Sequence, residues 1–357
     1  MAWFRRDKKV NETTEVNNTE PSNPDRQQST STTLRIEQSI TLEQDSRDQL
    51  SDLGSRSNSL TVTEKDVKLM DPRFEGVIAP VFTCFRDDER RSLDVRHINR
   101  YAECLKSHLI NGVLVNGVSG EGPSMRVRER KANCEYWLRA AIRYKLLVLV
   151  QVGGCPLPDV LSLAAHAEDM RVSAVITLPE LFYRPRNVDQ LVGYCKHVAS
   201  CCKTRPFFYY HMPSMTGVDV DIVEFCAKAE QVIPNFMGVH YASTDLEMGQ
   251  RCLRFGRVIL LASTSLLATG LMSGFNSACL TVVNMRPELV QSIFKAINDN
   301  DMLLARNHQR ELNQLMEIHT HSTYLQNWVN SMKNWFNKEY SMQKNGSFTA
   351  GPPRQVF

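Results

Sequence analysis

The strongest constraint on the fold is an alternation that begins at Gly76, in which short apolar, β-rich runs are each followed by a longer amphipathic stretch. The runs are GVIAPVFTCF (76–85), GVLVNG (112–117), LLVLVQVG (146–153), AVITLPE (174–180), PFFYYHMP (206–213), FMGVHYAS (236–243), VILLAS (258–263) and ACLTVV (278–283). Each is almost continuously apolar, the pattern of parallel strands buried on both faces. Intervening stretches such as VRHINRYAECLKSHL and NVDQLVGYCKHVASC place apolar residues three and four apart, as amphipathic helices do. Eight consecutive βα units predict an α/β fold, a closed (β/α)8 TIM barrel rather than an open doubly wound sheet. No GxGxxG follows the first run to favour a nucleotide fold.

The barrel is expected over residues 71–297. A helical extension follows at 298–340, where LLARNHQRELNQLMEI and HSTYLQNWVNSMKNWF read as helices packed on the barrel, and then a tail at 341–357. Residues 1–70 are rich in Ser, Thr, Asn and Gln and poor in clustered apolar residues. Such a segment cannot bury enough surface to offset its ordering entropy and is expected to be disordered.

Charged residues make up 23% of the chain and the net charge is +3, with no basic stripe to suggest nucleic acid. The basic start MAWFRRDKKV lacks a following apolar stretch of signal-peptide length, and nowhere do 18 uncharged apolar residues run together. A cytoplasmic protein without membrane or nucleic-acid partners is expected. The ten cysteines form no CxxC pair, and Cys195, Cys226 and Cys252 fall at apolar helix positions. Free buried thiols are expected, with no metal site and no cofactor.

Chemistry in a (β/α)8 barrel sits at the carboxyl ends of the strands. Three endings stand out. The second is NGVSGEG (116–122), whose glycines let backbone N–H groups face a small anion while Ser119 adds a hydroxyl. The fifth is YYHMPSMTG (209–217), which brings Tyr210 or its neighbour to the mouth, and the sixth ends at His240. Taken singly, a glycine-rich turn is usually only a turn, and a tyrosine or histidine on a barrel strand is more often packing than chemistry. Together, on strands two, five and six, they carry more weight.

In VNGVSGEGPSMRVRERK, FFYYHMPSMTGV, FMGVHYASTDL and the terminal GPPR (351–354), the chain resembles the sialic acid aldolases, or N-acetylneuraminate lyases, of the dihydrodipicolinate synthase-like superfamily. The likeness runs from about Gly76 to Asn313. It implies a class I aldolase that cleaves sialic acid to pyruvate and N-acetylmannosamine: a lysine forms an imine with a 2-oxo acid, a tyrosine relays protons, and the glycine-rich loop holds the carboxylate. It also implies a tetramer, either of identical subunits or with an active paralogue. On this chain the tyrosine is Tyr210, and the position of the lysine is taken by His240.

An imidazole cannot form the protonated imine that serves as electron sink, and acid–base help worth roughly 10²- to 10⁴-fold does not replace it. Lys106, Lys131, Lys196, Lys228 and Lys295 fall in predicted helices, while Lys145 and Lys203 precede strands at the opposite end of the barrel. Further positions depart from the family pattern. In the carboxylate loop Val118 replaces the first of two hydroxyl residues, with Ser119 and Gly120 kept. Losing one hydrogen bond to a charged group costs roughly 1.5–3 kcal/mol. Ala242 replaces a small hydroxyl residue, and Ala262, Thr264 and Ser265 stand where a glycine and an acidic pair bind sugar hydroxyls. Thr281 keeps a hydroxyl at the eighth strand. The expectation is a lyase scaffold without Schiff-base catalysis, its mouth open to a 2-oxo acid or a sialic acid-like ligand. The alternative is a functional lyase, or another enzyme acting on a carbonyl or sugar substrate, that uses Tyr210 and His240 as acid and base.

Overall fold

The computed structural model describes residues 74–253, 257–320, 328–341 and 348–354. The tail expected at 1–70 and the first part of HSTYLQNWVNSMKNWF lie outside the described residues. Eight parallel strands close into a barrel in sequential order. They are β1 (Gly76–Pro80), β2 (Gly112–Val115), β3 (Leu147–Gln151), β4 (Ala174–Thr177), β5 (Phe207–His211), β6 (Phe236–Tyr241), β7 (Val258–Leu261) and β8 (Ser277–Cys279). Around them lie α1 (Ile98–Ser107), α2 (Val127–Tyr144), α3 (Leu157–Asp169), α4 (Val188–Ala199), α5 (Ile222–Val232), α6 (Leu246–Leu253), α7 (Leu267–Met272) and α8 (Pro287–Asn298). The carboxyl-terminal helices are α9 (Met302–Thr320) and α10 (Trp328–Ser341).

The predicted barrel with added carboxyl-terminal helices is therefore the observed fold. Two layers account for the apolar runs. Ile78, Leu114, Leu149, Ile176, Phe208 and Leu260 fill the barrel interior. Alternate residues such as Val77, Val113, Val148, Val175 and Tyr209 pack outward against the helices. All ten cysteines are free thiols, and Cys195, Cys226 and Cys252 are buried.

The ends of two runs differ from expectation. The first strand stops at Pro80, and the chain beyond it leaves the sheet so that the Phe85 amide donates to the Ala350 carbonyl at 3.0 Å. Residues 348–354, read from the sequence as a tail, are in fact packed, with Phe348 and Ala350 buried. The eighth strand is only Ser277–Cys279, and Thr281–Asn284 winds into a 3-10 turn held by the Asn284 side chain, which donates to the Pro80 and Thr281 carbonyls.

One irregularity decides which way the sixth strand faces. Phe207 pairs with Phe236 but Phe208 pairs with Gly238, so Met237 is an extra residue in β6. Downstream of it Tyr210 pairs with His240, and both are turned to the same side as Phe208, the barrel interior. Without the bulge the two-residue period would send His240 out toward the helices. A Cβ on Gly238 would lie 1.8 Å from the Val258 carbonyl oxygen, so only glycine allows this close approach of β6 to β7.

Candidate functional site

β5 and β6 carry Tyr210 and His240 to the carboxyl end of the barrel, side by side. Their ring centroids are 3.9 Å apart with planes inclined by 33°, a tilted stack in which the faces meet. Both are buried, Tyr210 at 4% and His240 at 3% exposure. Burial pushes the His240 imidazole down to about 3, and it is neutral at pH 7. Its Nδ1 has no hydrogen-bond partner. Burial likewise raises the Tyr210 hydroxyl well above its ordinary range, with the Val118 backbone amide working against that rise.

The loop after β2 supplies the other half of the mouth. Ser119 Oγ lies 2.7 Å from Thr281 Oγ1, so the two hydroxyls satisfy each other across the end of β1. The Gly120 carbonyl accepts from Thr83 Oγ1 at 2.5 Å, and a Cβ on Gly120 would lie 2.9 Å from the Val81 carbonyl oxygen. The turn closes through the Glu121 amide donating to the Val118 carbonyl and the Gly122 amide donating to that of Gly117. Asn116 braces its base, donating from Nδ2 to the Arg130 carbonyl and accepting from Asn133 Nδ2.

The remaining predicted positions divide. Ala242 follows β6 and its amide donates to the His211 carbonyl at 2.9 Å, while the Ala262 amide donates to that of Tyr241 at 3.0 Å. Both prolong the strand ladder and offer the mouth only a methyl group. Thr264 and Ser265 lie in a 3-10 turn after β7. The Thr264 carbonyl is tied to α9 by Gln309 Nε2, and Ser265 is exposed with its hydroxyl 3.4 Å from that of Ser263. The structure thus brings together Val118 with Tyr210, Tyr210 with His240, and Ser119 with Thr281. Ala242, Ala262, Thr264 and Ser265 stand along the β6–β7 rim.

Lys106, Lys131, Lys196, Lys228 and Lys295 all lie on the outer helices α1, α2, α4, α5 and α8. Lys333 was not singled out from the sequence. It projects from α10 and is completely buried, with Nζ 2.8 Å from Glu121 Oε1, 3.3 Å from the Pro352 carbonyl and 4.5 Å from the Phe85 ring centroid. None of these neighbours belongs to the barrel-interior cluster. Burial lowers its pKa, with Glu121 acting in the opposite direction.

Its sequence signal was available. Lys333 falls on the same helical stripe as Val329, Met332, Phe336 and Tyr340, all buried, and a lysine on a buried stripe needs a partner.

Among the described residues no group of three or more His, Cys, Asp or Glu gathers to hold a metal ion. An open cleft of about 1610 Å³ lies over the loops after β3, β4 and β5, lined among others by Cys155, Glu180, Tyr183, Arg184, Tyr194 and Asp219. It does not include the Tyr210–His240 pair, which is too buried to line an open cleft.

A closed (β/α)8 barrel with a glycine-rich loop after β2 and an inward tyrosine on β5 defines a class, and the chain belongs to it: the dihydrodipicolinate synthetase family, whose model matches residues 73–335. Within the family its likeness is to the N-acetylneuraminate lyases. It is 33% identical to the N-acetylneuraminate lyase of Gallus gallus over 67% of this chain and 80% of that one. Among solved structures, the N-acetylneuraminate lyase of Proteus mirabilis superposes with a TM-score of 0.72 at 28% identity, covering 79% of this chain and 92% of that one. The N-acetylneuraminate lyase (sialic acid aldolase) of Aliivibrio salmonicida gives 0.71 at 29% identity, over 78% and 89%.

Proposed function

We propose that this protein is an N-acetylneuraminate lyase-like barrel without Schiff-base catalysis, which holds a 2-oxo acid or sugar acid at the mouth without a covalent bond. One observation carries the reading: the inward residue beside Tyr210 on β6 is a neutral, buried histidine. A primary amine there would add to the ketone carbon, lose water and, as a protonated imine, accept the electron pair of the breaking carbon–carbon bond. His240 offers no such nitrogen. The β2 loop still presents backbone amides and Ser119 for a carboxylate, and Val118 in place of a hydroxyl residue weakens that grip.

Assembly as a tetramer, or with an active paralogous subunit, belongs to the same proposal, as does a cytoplasmic location. Size-exclusion chromatography with light scattering, together with co-purification from its own cells, tests the assembly. Among the described residues no helix is long and apolar enough to cross a membrane.

The decisive experiment is borohydride reduction in the presence of pyruvate, followed by intact mass, on the wild type and on His240→Lys. The expected result is an adduct only on the variant. An adduct on the wild type, mapped by peptide mass to Lys333 or any other lysine, or pyruvate release from sialic acid, would overturn the proposal.

A second reading is supported by the 3.9 Å stack of Tyr210 on His240. The two residues do meet, as an acid–base pair acting on a carbonyl or sugar would have to. Turnover of such a substrate that is abolished equally by Tyr210→Phe and His240→Gln would favour it.

A further inference from the structure

The loop that forms the carboxylate cradle is gripped from behind by the chain's carboxyl-terminal segment. Glu121, directly after Ser119 and Gly120, is completely buried and holds a left-handed backbone with φ +52°. Its two carboxylate oxygens are divided between distant parts of the chain. Oε1 accepts from Lys333 Nζ at 2.8 Å and Oε2 from the Arg354 backbone amide at 2.7 Å.

The Arg354 guanidinium closes the ring. It forms a two-pronged bond with Glu129 on α2, both contacts at 2.8 Å, and donates to the Ser124 and Arg91 carbonyls. Lys333 and Arg354 both pack on the Phe85 ring, the latter with Cζ at 4.3 Å. Asn337 ties the segment back to α10, accepting from the Ala350 amide and donating to the Gly351 carbonyl. Burial alone would raise the Glu129 carboxyl, but the Arg354 guanidinium and the Arg126 amide together hold it below its ordinary value.

We infer that Glu121, Lys333 and Arg354 are positioning residues for the mouth: they clasp the Ser119–Glu121 turn to residues 348–354 and so keep its backbone amides in the shape that receives a carboxylate. The inference rests on the cradle reading given above. None of the three touches the ligand position. They act through the loop, which is otherwise held by its internal turn bonds, the Thr83–Gly120 and Ser119–Thr281 contacts and the Asn116 brace. A left-handed non-glycine residue in such a turn persists only when its surroundings over-determine it, and the buried carboxylate with its two anchors supplies that. The ligand class is a small carboxylate such as a 2-oxo acid.

The test uses the full-length protein with two variants, Arg354→Ala and the double Glu121→Gln/Lys333→Met, the second leaving no uncompensated buried charge. Hydrogen exchange is followed over residues 116–125, and pyruvate affinity is measured by titration calorimetry. The expected result is exchange about tenfold faster in 116–125 than in the wild type, with β4 to β6 unchanged, and a pyruvate Kd raised about tenfold. Arg354→Lys, which keeps the charge but loses the fork, should restore part of both. Exchange that rises no more in 116–125 than elsewhere, or that rises without a change in Kd, overturns the inference. If the wild type does not bind pyruvate, the ligand reading fails by itself, and segment-specific exchange decides the clasp alone.

Discussion

Two polar clusters built by the same barrel are treated in opposite ways. Around Glu121 both carboxylate oxygens, the lysine and the arginine are all paired, over sequence separations of 212 and 233 residues. Around His240 the polar groups are poorly supplied: Nδ1 of His240 and Nδ1 of neighbouring His211 are buried without partners. A buried charge survives only with a complete set of partners, whereas a buried imidazole survives by remaining neutral. The first cluster ties the loop after β2 to the carboxyl-terminal segment, and the second stands at the carboxyl end of β5 and β6, where the proposed site lies.

The largest effect should come from breaking the satisfied cluster. Lys333→Met alone leaves Glu121 buried without its cation, and we expect a loss of about 3–5 kcal/mol in urea unfolding. The double variant with Glu121→Gln should recover much of it. A loss below about 1 kcal/mol for the single variant would mean that the pair is wet and loosely held, which would erase the contrast between the clusters.

Next in size is acid. Burial holds His240 down to about 3 and His211 down to about 4, whereas in the unfolded chain both protonate near 6.5. Above about pH 6.5 both states are neutral and stability is flat. As pH falls below 6.5 the unfolded state binds protons that the folded state refuses, so stability drops by up to about 1.4 kcal/mol per pH unit for each histidine, until the folded values near 4 and 3 are reached. Unfolding midpoints at pH 7 and pH 5 check the slope.

The smallest effect sharpens the comparison at one residue. His240→Leu removes an imidazole whose Nδ1 is unpartnered and should change stability at pH 7 by no more than about 1 kcal/mol, while roughly halving the acid slope. A loss of several kcal/mol at pH 7 would show that the imidazole makes a bond on which the fold depends.

The sequence disclosed the barrel because parallel strands buried on both faces leave unbroken apolar runs, and it disclosed the mouth because strand ends are where such runs stop. It did not disclose the Met237 bulge, since a bulge changes which face a residue takes without changing composition. Strand ends such as β1 and β8 were overdrawn for a related reason. Phe82–Phe85 and Thr281–Val283 are nearly as apolar as strand residues, yet the first run leaves the sheet, its Phe85 amide bonding to Ala350, and the second winds into a 3-10 turn. Lys333 and Arg354 escaped because their partners lie more than 200 residues away, and no local pattern encodes that separation.

The clasp also sets an order of events during synthesis on the ribosome. Glu121 emerges early, followed by the rest of the barrel, while the cation and the backbone amide that satisfy it arrive only when residues 333 and 354 have left the exit tunnel. Until then a nascent barrel that buried Glu121 would bury an unpaired anion, so the loop after β2 must stay hydrated or be held by a chaperone. Closure of the loop after β2 therefore waits for chain made more than 200 residues later, and slowing translation within the first three hundred codons would give the growing chain no means of completing it.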